Sequence, residues 1–138
     1  FVAANACVDQ SNTAGPDLAT ILPADPDGSA RALRRELGCG AVIISDTFGR
    51  PWREGLVNVA IGVSGLRSIE DLRGTEDRSG RKLSATQIAR ADELAAAAGL
   101  VMGKAAGVPV ALIDGLEWRI EEGSGKELIR AAEFDMFR

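Results

Sequence analysis

Two aspartates and a threonine are the residues whose types and positions favour a metal site. Asp46 and Thr47 directly follow the apolar run AVIIS, and Asp9 stands in the polar stretch VDQSNTAGPD. Carboxylate and hydroxyl oxygens are the ligands that Mg²⁺ and Mn²⁺ prefer, usually together with water and substrate phosphate. If the strands that precede them are neighbours, Asp9 and Asp46 face one another across a shared cation. The alternative, which composition alone favours, is that Asp9 and Asn12 are turn residues and that Asp46 caps a loop.

Basic side chains near these acids favour an anionic substrate. Arg50 and Arg53 flank a Pro-Trp pair, and a guanidinium suits the oxygens of phosphate or carboxylate. Trp52 either stacks on a ring or fills the edge of the core; the alternative for the whole stretch is a solvated loop that Trp52 pins in place. Lys104, in GKAAG, lacks the spacing of a P-loop. It either reaches a phosphate or only stabilises the carboxyl end of a helix.

The composition narrows the class of protein. The chain has 138 residues, which is the length of one domain. Its net charge is −4. It contains no histidine, which excludes histidine triads and most zinc sites. The acidic balance argues against nucleic acid or an acidic membrane as partner, and no apolar run reaches the roughly 20 residues of a membrane helix. The two cysteines lack metal-binding spacing, and free thiols fit a reducing cytoplasm.

Apolar runs predict the strands that position these side chains. Residues 41–45 are β-branched and continuous, which predicts a strand buried on both faces, followed by a polar loop at 46–55. Ligands of open α/β sheets lie beyond the carboxyl ends of such strands. Residues 56–66 predict another strand, in which Gly62 and Gly65 indicate a bulge or a close backbone approach. Further short strands are predicted at 1–6, 18–23 and 108–115.

Capping residues and helical spacing predict two main helices. The first covers residues 24–38, with Asp25 or Asp27 as its N-terminal cap and Gly38 as its stop. The second covers residues 84–107 and is the clearest helix of the chain. Its apolar stripe at helical spacing consists of Ile88, Ala91, Leu94, Ala95 and Ala98.

The remaining segments complete a mixed pattern. Ser84 or Thr86 is the predicted cap of the second helix, residues 68–83 form a hairpin or an ordered loop, and a final helix lies near 124–132. Strands alternate with helices, but the glycine-rich and charged middle of the chain departs from a regular βαβ ladder. The pattern therefore predicts an α/β or α+β mixed fold.

Five stretches of the sequence resemble one family across nearly all 138 residues. They are ANACVDQSN, SDTFGRPWREG, DLRG with a following Asp and Gly, ADELAAAAGLVMGKAAGVPVALI, and GSGKELIR. Together they are similar to the coenzyme F420-0:L-glutamate ligases, also called gamma-glutamyl ligases. SDTFGRPWREG is long and unusual in composition, which makes the resemblance specific. Cys7 stands where the family pattern has glycine.

The resemblance implies a fold and a domain. Members of this family have an α+β (mixed α/β) fold in which a mixed sheet packs with helices, and they form intertwined dimers. They also carry a substantial N-terminal segment before the point at which residue 1 aligns. The expectation is that residues 1–138 are the C-terminal major part of a gamma-glutamyl ligase-like catalytic domain whose N-terminal part is absent.

The resemblance also implies a reaction, expected in the cytoplasm. GTP would phosphorylate the acceptor carboxylate of the deazaflavin coenzyme F420-0, and the amine of L-glutamate would attack the acyl phosphate. Later rounds would build a γ-linked glutamyl tail. Mn²⁺ or Mg²⁺ would be needed, and K⁺ would activate. The expected partners are these small molecules and a second copy of the chain, with no nucleic acid and no membrane.

Residue by residue, the resemblance assigns three groups of side chains. The divalent-metal positions are Asp9, Asp46 and Thr47. The two aspartates are also the expected catalytic residues. The positions near the nucleotide are Asn12, Met102, Gly103 and Lys104. The expected substrate contacts are Arg50 and Arg53.

Two other functions stay open on the sequence. The same oxygen ligands would serve a divalent-metal-dependent phosphohydrolase that acts on a different substrate. A chain without the N-terminal segment of the family would be an incomplete or non-catalytic relative, serving as a dimer partner or a binding module. Release of phosphate from GTP without a requirement for glutamate would favour the hydrolase.

Overall fold

Two long antiparallel strands form the centre of the structure, and two helices pack against them. A computed structural model describes residues 8–10 and 13–135. The strands in these ranges are β1 (Val8–Asp9), β2 (Thr20–Ile21), β3 (Val42–Arg50), β4 (Arg53–Ser64), β5 (Glu70–Asp71) and β6 (Gln87–Ile88). The α-helices are α1 (Pro26–Leu37) and α2 (Arg90–Met102). The α+β class is therefore confirmed. No helix in the described ranges has the length and apolar character to cross a membrane.

The strands pair as three separate hairpin-like units rather than as the mixed sheet that was expected. β1 pairs with β2, β3 with β4, and β5 with β6, and each pair is antiparallel. The charged segment predicted as a hairpin or ordered loop contains β5 and an isolated bridge between Glu76 and Lys82, which confirms that prediction. The predicted strand at 1–6 lies outside the described residues.

The prediction of a polar loop at 46–55 is wrong. β3 continues through Asp46 and Thr47 to Arg50, and the chain turns only at residues 51–52. Polar side chains suit a strand when one face meets water. Every residue of β3 is only partly buried, so the prediction of a strand buried on both faces is also wrong. The two residues thus lie within a hairpin rather than beyond the end of a strand.

The other strand of the hairpin confirms the prediction for its glycines. Ile44 pairs with Gly62 while Ser45 pairs with Ala60, so Ile61 is the extra residue of a β-bulge. A Cβ atom at Gly62 would overlap the backbone carbonyl of Pro26 at the start of α1. The glycine therefore allows α1 to approach the strand closely.

Helix α1 follows its predicted signals. Asp25 is the cap, since its Oδ1 accepts a hydrogen bond from the Gly28 N–H at 2.9 Å. Gly38 ends the helix in the left-handed conformation, with φ of 63°. The helix buries Ala30 and the carboxylate of Asp27. Its local capping chemistry was sufficient to place both ends.

Helix α2 is shorter than predicted. It begins at Arg90, and residues 87–88 form β6, so neither Ser84 nor Thr86 is its cap. Ala91 and Ala95 of the predicted stripe are buried, and Leu94 packs against the same core. These small side chains allow the helix to lie close to β4, whose Ala60 and Val63 contribute the facing core residues.

The last part of the chain contains less regular structure than predicted. Residues 108–115 form no strand in the structure, and the final helix near 124–132 appears only as two short 3₁₀ turns, Gly125–Leu128 and Ala132–Phe134. Apolar composition alone predicted that strand, but no neighbouring strand pairs with it in the described ranges. Val110 and Leu112 of this segment are exposed.

Candidate active site

A groove between the β3–β4 hairpin and the end of α2 brings together side chains from both halves of the chain. Its volume is about 470 Å³. Thr47 lines it on the hairpin side, and Gly103 and Lys104 line it where α2 ends. The remaining lining residues are Leu56, Val57, Asn58, Ala96, Gly99 and Leu100. A predicted metal ligand and two predicted nucleotide-contacting residues thus share one cavity.

The hydroxyl of Thr47 is held from across the hairpin. Thr47 and Asn58 are register partners, and Thr47 Oγ1 donates a hydrogen bond to Asn58 Oδ1 at 2.8 Å. Both side chains are partly buried. A hydroxyl has one proton and two acceptor lone pairs, so the oxygen of Thr47 keeps its lone pairs for another group.

The carboxylate of Asp46 turns towards the next residue of its own strand. Asp46 Oδ1 accepts a hydrogen bond from the Thr47 N–H at 2.7 Å. Neighbouring side chains of a strand point to opposite faces, and accordingly Asp46 does not line the groove that Thr47 lines. The hydrogen bond keeps the carboxylate beside the backbone N–H of Thr47.

A second cavity of about 390 Å³ adjoins the end of α2. It shares Gly103 and Lys104 with the groove, and its other lining residues are Met102, Ala105, Gly107, Val108 and Pro109. All three residues predicted to lie near the nucleotide in this part of the chain therefore line cavities. Lys104 stands just past the carboxyl end of α2, where a cation is also favourable for the helix dipole.

Asp9 lies on a different hairpin from Asp46. β1 pairs with β2, and the Asp9 carbonyl accepts a hydrogen bond from Thr20 Oγ1 at 3.2 Å. In the described ranges no cluster of three or more Cys, Asp or Glu side chains could hold a metal ion. Convergence of Asp9 and Asp46 on one cation stays a prediction, and Asn12 lies outside the described residues.

The two arginines lie at the tip of the hairpin. Arg50 Nη2 donates to the Glu54 carbonyl at 3.2 Å, and its buried Nε has no protein partner in the part of the chain described. Trp52, between them, has φ of 55° and a side chain 79% exposed, so it does not fill the edge of the core. A non-glycine residue in this conformation is uncommon. The tip therefore exposes Trp52 and Arg53, whereas Arg50 is partly buried.

Sequence reasoning missed Asn58, which lines the groove, and Asp92, which anchors α2 to β4. Asn58 is a single amide in the apolar run LVNVAIG, and a lone polar side chain inside a strand was the available signal. Asp92, in the first turn of α2, accepts the Ala60 N–H at 2.9 Å and ties the helix to the bulged part of β4. Because Ile61 breaks the ladder there, this carboxylate satisfies a backbone donor of the bulge.

A buried carboxylate fixes the far end of β4. Asp27 Oδ1 accepts the N–H groups of Val63 at 2.9 Å and of Gly125 at 2.8 Å, and Oδ2 accepts the Ser124 hydroxyl at 2.5 Å. Burial raises the pKa of Asp27, but the hydrogen bonds from Ser124, Gly125 and Val63 outweigh it and hold the pKa below its ordinary value. The backbone N–H of Gly125 is thus engaged, so the GSGKE stretch does not offer it to a phosphate.

Comparison with known proteins gives consistent matches. Residues 1–115 match the family model described as F420-0:Gamma-glutamyl ligase. Proteins named coenzyme F420:L-glutamate ligase are 53% identical in Methanothermobacter thermautotrophicus, 48% in Methanopyrus kandleri and 46% in Methanocaldococcus jannaschii. Each alignment covers 100% of this chain but only 57–58% of the relative. The chain thus spans less than two thirds of the length of these curated relatives.

Proposed function

This chain belongs to the F420-0:gamma-glutamyl ligase family, and we propose that it takes part in the GTP-dependent addition of L-glutamate to coenzyme F420-0. The supporting observation in the structure is that Thr47 and Lys104 line one groove. A groove with an oxygen ligand on one wall and a cation on the other suits the phosphates of a nucleotide. The runner-up, a phosphohydrolase, would use the same groove, but no observation on this chain favours it over the ligase.

Two covalent steps make up the proposed reaction. The acceptor carboxylate of coenzyme F420-0 attacks the γ-phosphorus of GTP, which forms an acyl phosphate and releases GDP. The amine of L-glutamate then attacks the acyl carbon, an amide bond forms, and phosphate leaves with the former carboxylate oxygen. The acyl phosphate is already activated, so the absence of histidine from the sequence is no obstacle.

The proposed divalent cation is Mn²⁺ or Mg²⁺, which prefers oxygen ligands. Thr47 gives its proton to Asn58 and retains its lone pairs, and the carboxylate of Asp46 accepts the backbone N–H of Thr47. Among the described residues no carboxylate lines the groove itself. Asp46 and Thr47, joined by Asp9, are the proposed ligands. Such a cation supplies charge neutralisation at the phosphate oxygens when bound. K⁺ is the proposed activator, and no residue is assigned to it.

The cationic side chains divide between the two reacting partners in this proposal. Lys104 faces the phosphates from the end of α2. Arg50 and Arg53 would hold the anionic groups of coenzyme F420-0 at the hairpin tip. Arg53 is three residues from Leu56, which lines the groove, a spacing of about 10 Å along a strand. A substrate extended along β4 would reach from the tip to the groove.

Replacing Lys104 with alanine in the intact protein is expected to weaken GTP binding about tenfold, the loss of one cation–phosphate contact of 1–2 kcal/mol. Isothermal titration with GTP and Mn²⁺ measures the change. Lys82→Ala, which removes an exposed lysine from the 76–82 bridge, is the matched control and should bind GTP normally. Equal affinities of the two variants would remove Lys104 from the site.

The reaction itself separates the ligase from the hydrolase. With GTP, L-glutamate, coenzyme F420-0 and Mn²⁺, the intact protein should form GDP and a coenzyme one glutamate heavier. Steady formation of GDP should stop when coenzyme F420-0 or L-glutamate is omitted. Steady release of phosphate from GTP alone would instead support the phosphohydrolase, and absence of metal-dependent GTP binding would overturn both.

A homodimer is part of the proposal, supported by the apolar surface at the end of α2 and beyond. Leu100 is 87% exposed and Leu112 is 90% exposed. Large apolar side chains exposed to this extent suit an interaction face. Sedimentation equilibrium of the intact protein should give twice the chain mass, and Leu112→Asp should shift it towards the monomer, whereas Leu37→Asp on exposed α1 should not. A monomeric wild type would contradict the dimer.

A further inference from the structure

We propose that Trp52 binds the deazaflavin ring of coenzyme F420-0 by stacking against its flat face. This inference rests on the proposed function and deepens it, because Arg50 and Arg53 hold the anionic groups of the coenzyme there, whereas no residue contacts its ring. Its basis is the surface of the hairpin tip, where Trp52 lies between the two arginines in the chain and its side chain is 79% exposed. An indole face beside guanidinium groups suits a flat ligand that carries negative charge.

The backbone at Trp52 adopts a conformation that is uncommon for tryptophan. Its φ is 55°, and it is the only non-glycine residue with positive φ in the described ranges. In a two-residue turn that begins with proline, glycine or asparagine normally occupies the second position when φ there is positive. A bulky residue in this conformation is strained, and because the side chain lies outside the core, burial does not offset the strain. Strained residues are concentrated at ligand sites, which favours a role of the indole in binding.

The positive charge beside Trp52 is not neutralised by the described part of the chain. The ion pairs of the described residues involve other arginines, and neither Arg50 nor Arg53 forms one. Arg50 Nη2 donates to the Glu54 carbonyl at 3.2 Å, which holds the guanidinium at the tip without compensating its charge. Arg53 directly follows Trp52 and is exposed. The tip therefore has a cation available for an anionic group of the ligand that stacks on the indole.

An exposed path joins the tip to the groove. Residues 51–56 are all exposed, and Leu56 lines the groove that Lys104 also lines. A Cβ atom at Gly55 would have no neighbour within 4 Å, so the strand is open at this point. In coenzyme F420-0 the ring and the acceptor carboxylate lie at opposite ends of the molecule. A ring stacked on Trp52 therefore leaves the carboxylate free to extend along β4 towards the phosphates of GTP, which Lys104 faces in the proposed function.

Ligand binding to the intact protein tests this role of Trp52. Isothermal titration with coenzyme F420-0, and separately with GTP and Mn²⁺, is carried out for the wild type, Trp52→Gly and Trp52→Phe. Trp52→Gly should weaken the binding of coenzyme F420-0 about tenfold, the loss expected when one ring-stacking contact is removed. It should leave the affinity for GTP unchanged. Trp52→Phe retains a flat aromatic face, so its affinity for the coenzyme should stay within about threefold of the wild type.

Two further measurements separate a binding role from a structural one. Trp118→Phe is the matched control, because the Trp118 indole donates to the Gly65 carbonyl just beyond the other end of β4. This variant should bind coenzyme F420-0 normally. The thermal midpoint of Trp52→Gly should equal or exceed that of the wild type, since glycine adopts the positive φ without strain. A tryptophan that served packing would instead lower the midpoint when it is replaced.

Undiminished binding of coenzyme F420-0 by Trp52→Gly would overturn the stacking role and leave the proposed function standing. A loss confined to GTP would also overturn it, because the indole would then contact the guanine. Equal weakening in Trp52→Gly and Trp52→Phe, together with a lower thermal midpoint, would show that the indole has only a structural role. If the wild type itself does not bind coenzyme F420-0, the proposed function fails together with this inference.

Discussion

Replacing Asp46 with alanine in the intact protein is expected to lower the rate of glutamate addition by roughly a thousandfold, because a metal ligand supports several kcal/mol of charge stabilisation in phosphoryl transfer. The fold should persist. In the described part of the chain the carboxylate accepts only the Thr47 N–H, and that bond is worth about 1 kcal/mol. Mass spectrometry of the glutamylated coenzyme measures the rate, and circular dichroism measures the thermal midpoint.

Two companion variants sharpen this result. Asp46→Asn keeps an oxygen that accepts the Thr47 N–H but lacks the charge, so it should lose activity with almost no change in stability. Glu36→Ala removes an exposed carboxylate from the last turn of α1 and should remain fully active. Retention of more than about a tenth of the wild-type rate by Asp46→Ala would remove that carboxylate from the metal site.

Helix α1 shows what the sequence could predict. Its start depends on a contact between residues three apart, Asp25 Oδ1 with the Gly28 N–H, and its end depends on the conformational freedom of Gly38. Both signals lie within the segment itself. Local chemistry of this kind needs no knowledge of what packs against the helix.

The β3–β4 hairpin shows what the sequence could not predict. Residues 46–50 are polar enough to suit a loop, and only their partners on β4 make them a strand: Thr47 opposite Asn58 and Phe48 opposite Val57. The same non-local pairing explains why Asn58 was missed at the site. Thr47 and Lys104 were predicted from residue type and family resemblance, but the role of Asn58 arises from register, which apolar periodicity alone does not set.

Asp27 illustrates how strongly one non-local carboxylate connects the fold. It lies in the first turn of α1, yet its oxygens accept hydrogen bonds from Val63 on β4, from Gly125 of the first 3₁₀ turn and from Ser124, which caps that turn. A Cβ atom at Gly125 would overlap the Ile61 carbonyl, so the turn lies directly on the bulge of β4. Losing the carboxylate would leave buried N–H donors of both segments without partners.

Asp27→Ala is therefore expected to lower the free energy of unfolding of the intact protein by about 3 kcal/mol, since buried donors lose their acceptor. Asp27→Asn, which keeps one acceptor oxygen, should cost about 1 kcal/mol. Urea denaturation measures the free energy of unfolding of both variants. Glu36→Gln, at an exposed position, is the control whose stability should not change. A cost for Asp27→Ala no greater than for Glu36→Gln would show that the carboxylate does not tie these segments together.

The pH dependence supplies an independent check with a definite sign. The pKa of Asp27 is lower in the folded protein than its ordinary value of 3.8, because hydrogen bonds from Ser124, Gly125 and Val63 outweigh its burial. Its contribution to stability is therefore fully present above pH 3.8 and is lost as the pH falls through the folded pKa. The wild type should lose stability in that acid range more steeply than Asp27→Asn, whose amide does not titrate. Parallel acid-unfolding curves would mean that the carboxylate is no better stabilised in the folded state than in the unfolded chain.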